Sequence, residues 1–180
     1  GLDGDDICGR APTGSGKTLA FGIPLVVRTK AAKPRKPQSL ILAPTRELAD
    51  QICKELQAFS GKRTVSVVYG GVSYGPQRKA LAKGVDILVA CPGRLEDLIE
   101  QRELTLEDVK QVVIDEADRM ADMGFMPAVK RILDQTSKDR QTILFSATLD
   151  QDVAQLKKHY QHNPVTVSYT HLTLPTTRLV

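Results

Sequence analysis

The segment Ala11-Pro12-Thr13-Gly14-Ser15-Gly16-Lys17-Thr18 decides how this chain is read. It follows a short apolar run, Ile7-Cys8-Gly9-Arg10-Ala11, and opens a stretch with helical spacing from Lys17 to Arg28. A glycine-rich turn between a strand and a helix is the setting in which a backbone wraps phosphate. Gly14 and Gly16 let the chain curl so that successive N–H groups converge, and the helix start adds its partial positive charge. Lys17 is a point charge of the right reach for terminal phosphates, and the Thr18 hydroxyl suits one position around Mg²⁺. The general pattern has glycine where this chain has Ala11. The plain alternative is a glycine-rich turn with a chance lysine.

Outward from this turn the pattern alternates. Apolar runs recur at Ser39–Ala43, Thr64–Tyr69, Val85–Ala90, Gln111–Asp115 and Thr142–Ser146, with a shorter one at Val165–Val167. Several are continuous Val/Ile/Leu blocks, as expected of strands buried on both faces. Helical spacing fills the gaps. Between Glu47 and Phe59, residues Leu48, Ile52, Leu56 and Phe59 share one face, with Thr45 as N-cap. Pro76 and Pro92 stand where a first helical turn should begin, the second opening a helix to about Gln101. Further helices are expected around Ala128–Gln135 and Asp150–Tyr160. Such alternation predicts an α/β fold, a mostly parallel sheet with helices on both faces.

A phosphate cradle needs an acidic partner at the end of another strand. Val112-Val113-Ile114-Asp115-Glu116 supplies it. Three aliphatics bury the strand and leave Asp115 at its carboxyl end, where open α/β sheets bind ligands. Asp115 is placed to hold Mg²⁺ and Glu116 to orient or deprotonate water. The alternative for the two carboxylates is capping of a helix dipole.

Composition sets bounds. The chain has 180 residues, 41% hydrophobic and 26% charged, enough for one domain with a core. No apolar run approaches the roughly 18 residues that span a membrane. Residues 1–90 hold 14 Lys/Arg against 7 Asp/Glu, residues 91–180 hold 11 against 14. That asymmetry points to an anionic partner for the first half. The basic stretch Arg28–Pro37 reads as a solvated loop, with a phosphate-contacting arm as the sharper option. Cys8, Cys53 and Cys91 are scattered, as in a reduced, cytoplasmic protein. Aromatics are only 4%, so base-stacking platforms are few.

Asp115-Glu116-Ala117-Asp118 resembles the signature of the DEAD-box RNA helicases, and other segments resemble that family's elements in order. Ala11–Thr18 is similar to its A-x-T-G-x-G-K-T motif, which accounts for Ala11. Pro44-Thr45-Arg46-Glu47-Leu48-Ala49, Gly70-Gly71 and Ser146-Ala147-Thr148 match further elements, over about residues 4 to 167. The resemblance implies a RecA-like P-loop NTPase domain in residues 1–167, with ATP on Thr13, Gly14, Ser15, Gly16, Lys17 and Thr18. It implies Mg²⁺ at Thr18 and Asp115, and catalytic roles for Lys17, Asp115 and Glu116. Asp118, Ser146 and Thr148 are implied to couple the nucleotide site to the domain cleft. RNA contacts are implied for Pro44, Thr45, Arg46, Gly71, Gly93 and Arg94, made to backbone phosphates without reading sequence. Helix capping and surface ion pairs are the ordinary alternatives for these residues. The implied activity is RNA-stimulated ATP hydrolysis coupled to local duplex unwinding. The alternative is an isolated nucleotide- and RNA-binding module without efficient turnover.

The chain departs from the family pattern in three places. The T-P-G-R element reads Cys91-Pro92-Gly93-Arg94, with a weakly donating thiol in place of a hydroxyl. The adenine-recognising element expected upstream of the cradle is missing, and the chain opens on Gly1 rather than Met, as a piece of a longer protein would. The second RecA-like domain, with the arginines that would complete the site, is also missing, so the chain alone is expected to hydrolyse ATP poorly. Residues 168–180 are Ser/Thr-rich, lack acidic residues and show no period, which reads as a non-native tail.

Overall fold

The computed structural model describes residues 4–10 and 17–168. The elements run β1 (Ile7–Arg10), α1 (Lys17–Arg28), β2 (Ser39–Leu42), α2 (Arg46–Gln57), β3 (Val65–Val68), α3 (Tyr74–Lys83) and β4 (Ile87–Ala90). They continue with α4 (Pro92–Glu100), β5 (Gln111–Ile114), α5 (Ala117–Asp122), α6 (Met126–Asp134), β6 (Gln141–Ser146), α7 (Gln151–Tyr160) and β7 (Val165–Ser168). The strands form one sheet in the order β3-β4-β2-β5-β6-β1-β7, and every pairing is parallel. Mostly parallel was expected; every pairing among the described residues is parallel. Residues 11–16, with Thr13, Gly14, Ser15 and Gly16 of the expected cradle, lie outside the described residues. So does the expected foreign tail, apart from Ser168, whose backbone ends β7.

The continuous apolar strands are explained by the alternation of side chains across a sheet covered twice. Leu40, Leu42, Leu88, Ala90, Val112, Ile114 and Leu144 pack on one face, against Leu95, Leu98, Val129 and Ile132 of α4 and α6. Ile41, Ile87, Val89, Val113, Ile143 and Phe145 pack on the other, against Phe21 and Leu25 of α1 and Ile52 and Leu56 of α2. The helices α1 and α2 approach so closely that a Cβ on Gly22 would stand 2.7 Å from Phe59 Cζ and 2.8 Å from Leu56 Cδ2.

Several boundaries differ from expectation for visible reasons. Helix α3 starts at Tyr74, two residues before Pro76, because Ser73 is its N-cap and accepts the Gly75 N–H at 3.3 Å. The run from Val85 becomes a strand only at Ile87, because Asp86 is occupied elsewhere. Its Oδ1 accepts the Ala32 N–H at 2.7 Å and its Oδ2 the Thr64 N–H at 2.9 Å, while its own N–H donates to Thr64 Oγ1 at 2.9 Å. Asp6 does similar work near β1, accepting the N–H groups of Thr142 and His162. Helix α5 was not expected from periodicity; six residues are too few to display one.

The basic stretch after α1 sits at the amino end of the sheet. Arg35 pairs with Glu103 at 3.3 Å and Lys36 with Glu107 at 2.5 Å, and the Arg35 carbonyl accepts the Thr105 N–H. It is a surface loop tied to the next connection, remote from the strands' carboxyl ends. At the sheet's β3 rim two glutamines act on backbone oxygens. Gln57 Nε2 donates to the Val65 carbonyl and Gln77 Nε2 to the Tyr69 carbonyl, each at 3.1 Å. Among the described residues, no helix is long and apolar enough to cross a membrane.

Candidate functional site at the carboxyl ends of the strands

Parallel pairing brings the carboxyl ends of the strands to one end of the sheet, where ligands of such folds bind. Strand β6 lies between β1 and β5, with Arg10 opposite Ser146 and Ile114 opposite Leu144. The end of β1, Asp115 after β5 and Ser146 at the end of β6 therefore stand side by side.

Lys17, the first residue of α1, extends its Nζ to 2.7 Å from Asp115 Oδ1, and both side chains are almost fully buried. Lys17 Nζ also lies 5.7 Å from the centre of the Phe145 ring. Burial pushes the Asp115 carboxyl above its ordinary range, while Lys17 pulls it back. Asp115 Oδ1 accepts the Glu116 N–H at 2.9 Å. Glu116 caps α5 with φ 52° and ψ 51°, the left-handed region, which costs a non-glycine residue roughly 1–2 kcal/mol. Its Oε1 lies 3.4 Å from Arg119 Nη1.

Asp115 Oδ2 and Glu116 Oε2 are buried and have no hydrogen-bond partner among the described residues. Carboxylate oxygens removed from water and left unpaired are costly unless something else satisfies them. Hard oxygens of this kind suit Mg²⁺ and its bound water, so the residues present fit that ion. Thr18, the other residue expected at Mg²⁺, has a partner on α2. Its Oγ1 donates to Glu55 Oε1 at 3.3 Å, a consequence of α1 and α2 lying together on one face, and is not turned to Asp115 in a hydrogen bond.

The three expected coupling residues meet. The Asp118 N–H donates to Ser146 Oγ at 3.2 Å, Ser146 Oγ donates to the Thr148 carbonyl at 2.6 Å, and Thr148 Oγ1 donates to Asp118 Oδ2 at 3.2 Å. The start of α5 and the end of β6 are thereby closed into one hydrogen-bonded circuit beside Asp115.

Along the same end of the sheet, Pro44 is buried after β2 and Thr45 caps α2, its Oγ1 accepting the Leu48 N–H at 3.2 Å. Arg46 lies over the Tyr69 ring, 4.9 Å from its centre. Gly71 has φ 81°, and a Cβ there would meet only Arg46, at 3.8 Å. A Cβ on Gly93 would meet nothing within 4 Å, so backbone is open to a ligand there. Cys91 caps α4 without a side-chain hydrogen bond, and burial pushes its thiol up to about 11. Arg94, expected to contact RNA, is bound to other residues of the chain. Its guanidinium turns inward, donating to Gln77 Oε1 and the Val72 carbonyl, each at 3.0 Å, and lies 3.8 Å from the Tyr74 ring centre. Sequence reasoning missed Tyr69 and Tyr74; their flanking of Gly70-Gly71 was the available signal.

A parallel sheet with a lysine–aspartate pair across its strand ends and a serine–threonine–aspartate circuit beside it defines a RecA-like nucleotide-binding domain. The chain belongs to the DEAD/DEAH box helicase family, whose model matches residues 1–156. It is 50% identical over 175 residues to a rice protein named DEAD-box ATP-dependent RNA helicase 5, covering 92% of this chain and 34% of that protein. It is 45% identical over 179 residues to the Candida albicans ATP-dependent RNA helicase DBP2, covering 96% and 32%. Among solved structures, a DEAD box protein of Methanococcus jannaschii superposes with a TM-score of 0.85 at 37% identity, covering 93% of this chain and 46% of that one. The yeast DEAD-box splicing factor Prp28 gives 0.84 at 38%, covering 91% and 41%. The chain thus spans about a third of the length of these curated relatives.

Proposed function

We propose that this chain is the ATP-binding domain of an ATP-dependent RNA helicase, in which RNA-stimulated ATP hydrolysis drives local unwinding. The observation that carries this reading is the buried Lys17–Asp115 pair at the strand ends. With nucleotide present, Lys17 exchanges its hold on Asp115 for the β- and γ-phosphates, and Asp115 and Thr18 would hold the metal. Mg²⁺, when bound, neutralises charge on the phosphate oxygens. Glu116, with Oε2 buried and unpaired among the described residues, orients the attacking water and takes its proton. Thr13, Gly14, Ser15 and Gly16 supply the phosphate cradle.

The circuit of Asp118, Ser146 and Thr148 changes partners when the γ-phosphate leaves, which transmits hydrolysis to the cleft. RNA is held through its backbone by Pro44, Thr45, Arg46, Gly71 and Gly93, with Arg94 holding the turn that carries Gly71 through the Val72 carbonyl. The second RecA-like domain, which the proposal places outside this chain, closes on the same nucleotide and RNA.

The test is binding of a fluorescent ATP analogue with Mg²⁺. Lys17→Ala is expected to abolish Mg²⁺-dependent binding; unchanged affinity would remove the phosphate cradle from the proposal.

A further inference from the structure

Two tyrosines flank the turn Gly70-Gly71-Val72-Ser73, and each is held in the same manner. Tyr69, at the end of β3, lies under Arg46 and its OH donates to Asp50 Oδ1 at 2.9 Å and Oδ2 at 3.0 Å. Arg46 and Asp50 are one turn apart in α2. Tyr74, at the start of α3, lies under Arg94 at 3.8 Å and its OH donates to Asp97 Oδ2 at 3.0 Å. Arg94 and Asp97 are one turn apart in α4. Each helix start thus presents an arginine to the face of a tyrosine and an aspartate to its hydroxyl. The turn between the tyrosines is thereby tied to both helices.

We infer that Tyr69 and Tyr74 are positioning residues for RNA, a double strap that sets the Gly70–Ser73 turn and the starts of α2 and α4 in one fixed arrangement. The inference rests on the RNA-binding reading proposed above. The two straps act differently. Tyr69 works on a charge: its ring aims Arg46, whose Nη1 is the atom nearest to the face of Gly71, at a backbone phosphate. Tyr74 works on geometry: Arg94 is spent inside, on Gln77, on the Val72 carbonyl and on the ring itself, so it fixes the turn beside the open backbone of Gly93. Cation–π contact supports both, and more so where water is excluded, as at the buried Arg94.

These roles leave different marks on salt dependence. Each phosphate neutralised by a cation contributes about 0.7 to the slope of log K against log salt for single-stranded RNA. A lost backbone N–H contact contributes little to that slope.

The experiment is fluorescence anisotropy of labelled single-stranded RNA with the intact protein, across a KCl series, alongside thermal unfolding. Arg46→Ala is expected to weaken binding about tenfold and flatten the slope by about 0.7. Tyr69→Leu should do nearly the same, Tyr69→Phe should keep the slope, and Tyr69→Leu with Arg46→Ala should add nothing further. Tyr74→Leu should weaken binding about fivefold with the slope unchanged. If Tyr69→Leu does not fold, Tyr69→Met, which also lacks the ring, is read in its place and should flatten the slope. Wild-type affinity and slope in Tyr69→Leu or Tyr69→Met overturn the strap when Arg46→Ala is defective. Wild-type binding by Arg46→Ala itself overturns the RNA-binding reading instead. Equal slope changes for Tyr69 and Tyr74 variants overturn the division of roles.

Discussion

Thr148 Oγ1 donates to Asp118 Oδ2 at 3.2 Å, closing a circuit that also includes Ser146 and joins the start of α5 to the segment after β6. The Lys17–Asp115 pair is not part of this circuit. Thr148→Ala in the intact protein should therefore leave nucleotide binding and most ATP hydrolysis, within about threefold, yet lose duplex unwinding, since the link proposed to carry hydrolysis to the cleft is cut. Parallel hydrolysis and strand-displacement assays check it. An equal loss of both activities would place Thr148 in the chemistry rather than in its transmission.

Glu116 holds a left-handed backbone conformation that its side chain does not require for capping. Strained backbone clusters at active sites, and Glu116 Oε2 is buried without a hydrogen-bond partner among the described residues. Glu116→Gln in the intact protein should retain RNA binding in the presence of ATP and lower turnover about 10²- to 10³-fold. Persistent turnover would assign water activation elsewhere.

Cys91 occupies an N-cap position with extended backbone angles but makes no side-chain cap bond. A threonine hydroxyl can accept the N–H of the first helical turn. Cys91→Thr should raise stability by about 0.5–1 kcal/mol, seen as a higher midpoint in urea unfolding with an unchanged slope. No gain would mean that the thiol's packing matters more than the cap.

Asp86 lies at the sheet's amino end, away from the proposed site, and accepts backbone N–H groups from two segments distant in sequence. Asp86→Ala strands both donors and should cost about 2–3 kcal/mol, lowering Tm by roughly 2–4 °C per kcal/mol. Affinity for the ATP analogue should be unchanged in the folded protein. A loss of affinity without a loss of stability would contradict this separation of the two ends.

Much of the fold was legible because buried parallel strands read as unbroken aliphatic runs, and the chain repeats them between stretches of helical spacing. Lys17 was legible because it opens a helix after a glycine-rich segment, and the Asp115–Glu116 pair because it follows where a strand must end. What sequence could not reveal depends on distances between remote segments. Arg94 has the same chemistry on the page as Arg46, but only the fold shows Gln77 and Tyr74 enclosing it. Asp6 and Asp86 resemble surface carboxylates until the backbone groups that they satisfy come into view. The short α5 has no period to display, and Pro76 misled because Ser73, an ordinary polar residue, provides the cap.

The glutamines at the β3 rim carry a separate consequence. A free rim is a template on which another chain can add a strand, and proteins that expose one risk association. Gln57 and Gln77 occupy two of its carbonyls, and Gln77 also holds Arg94. One side chain thereby joins resistance to aggregation with the shape of a helix start. Variants at Gln77 would free a rim carbonyl and loosen Arg94 together, and an assay that reads only activity would mistake loss from solution for loss of function.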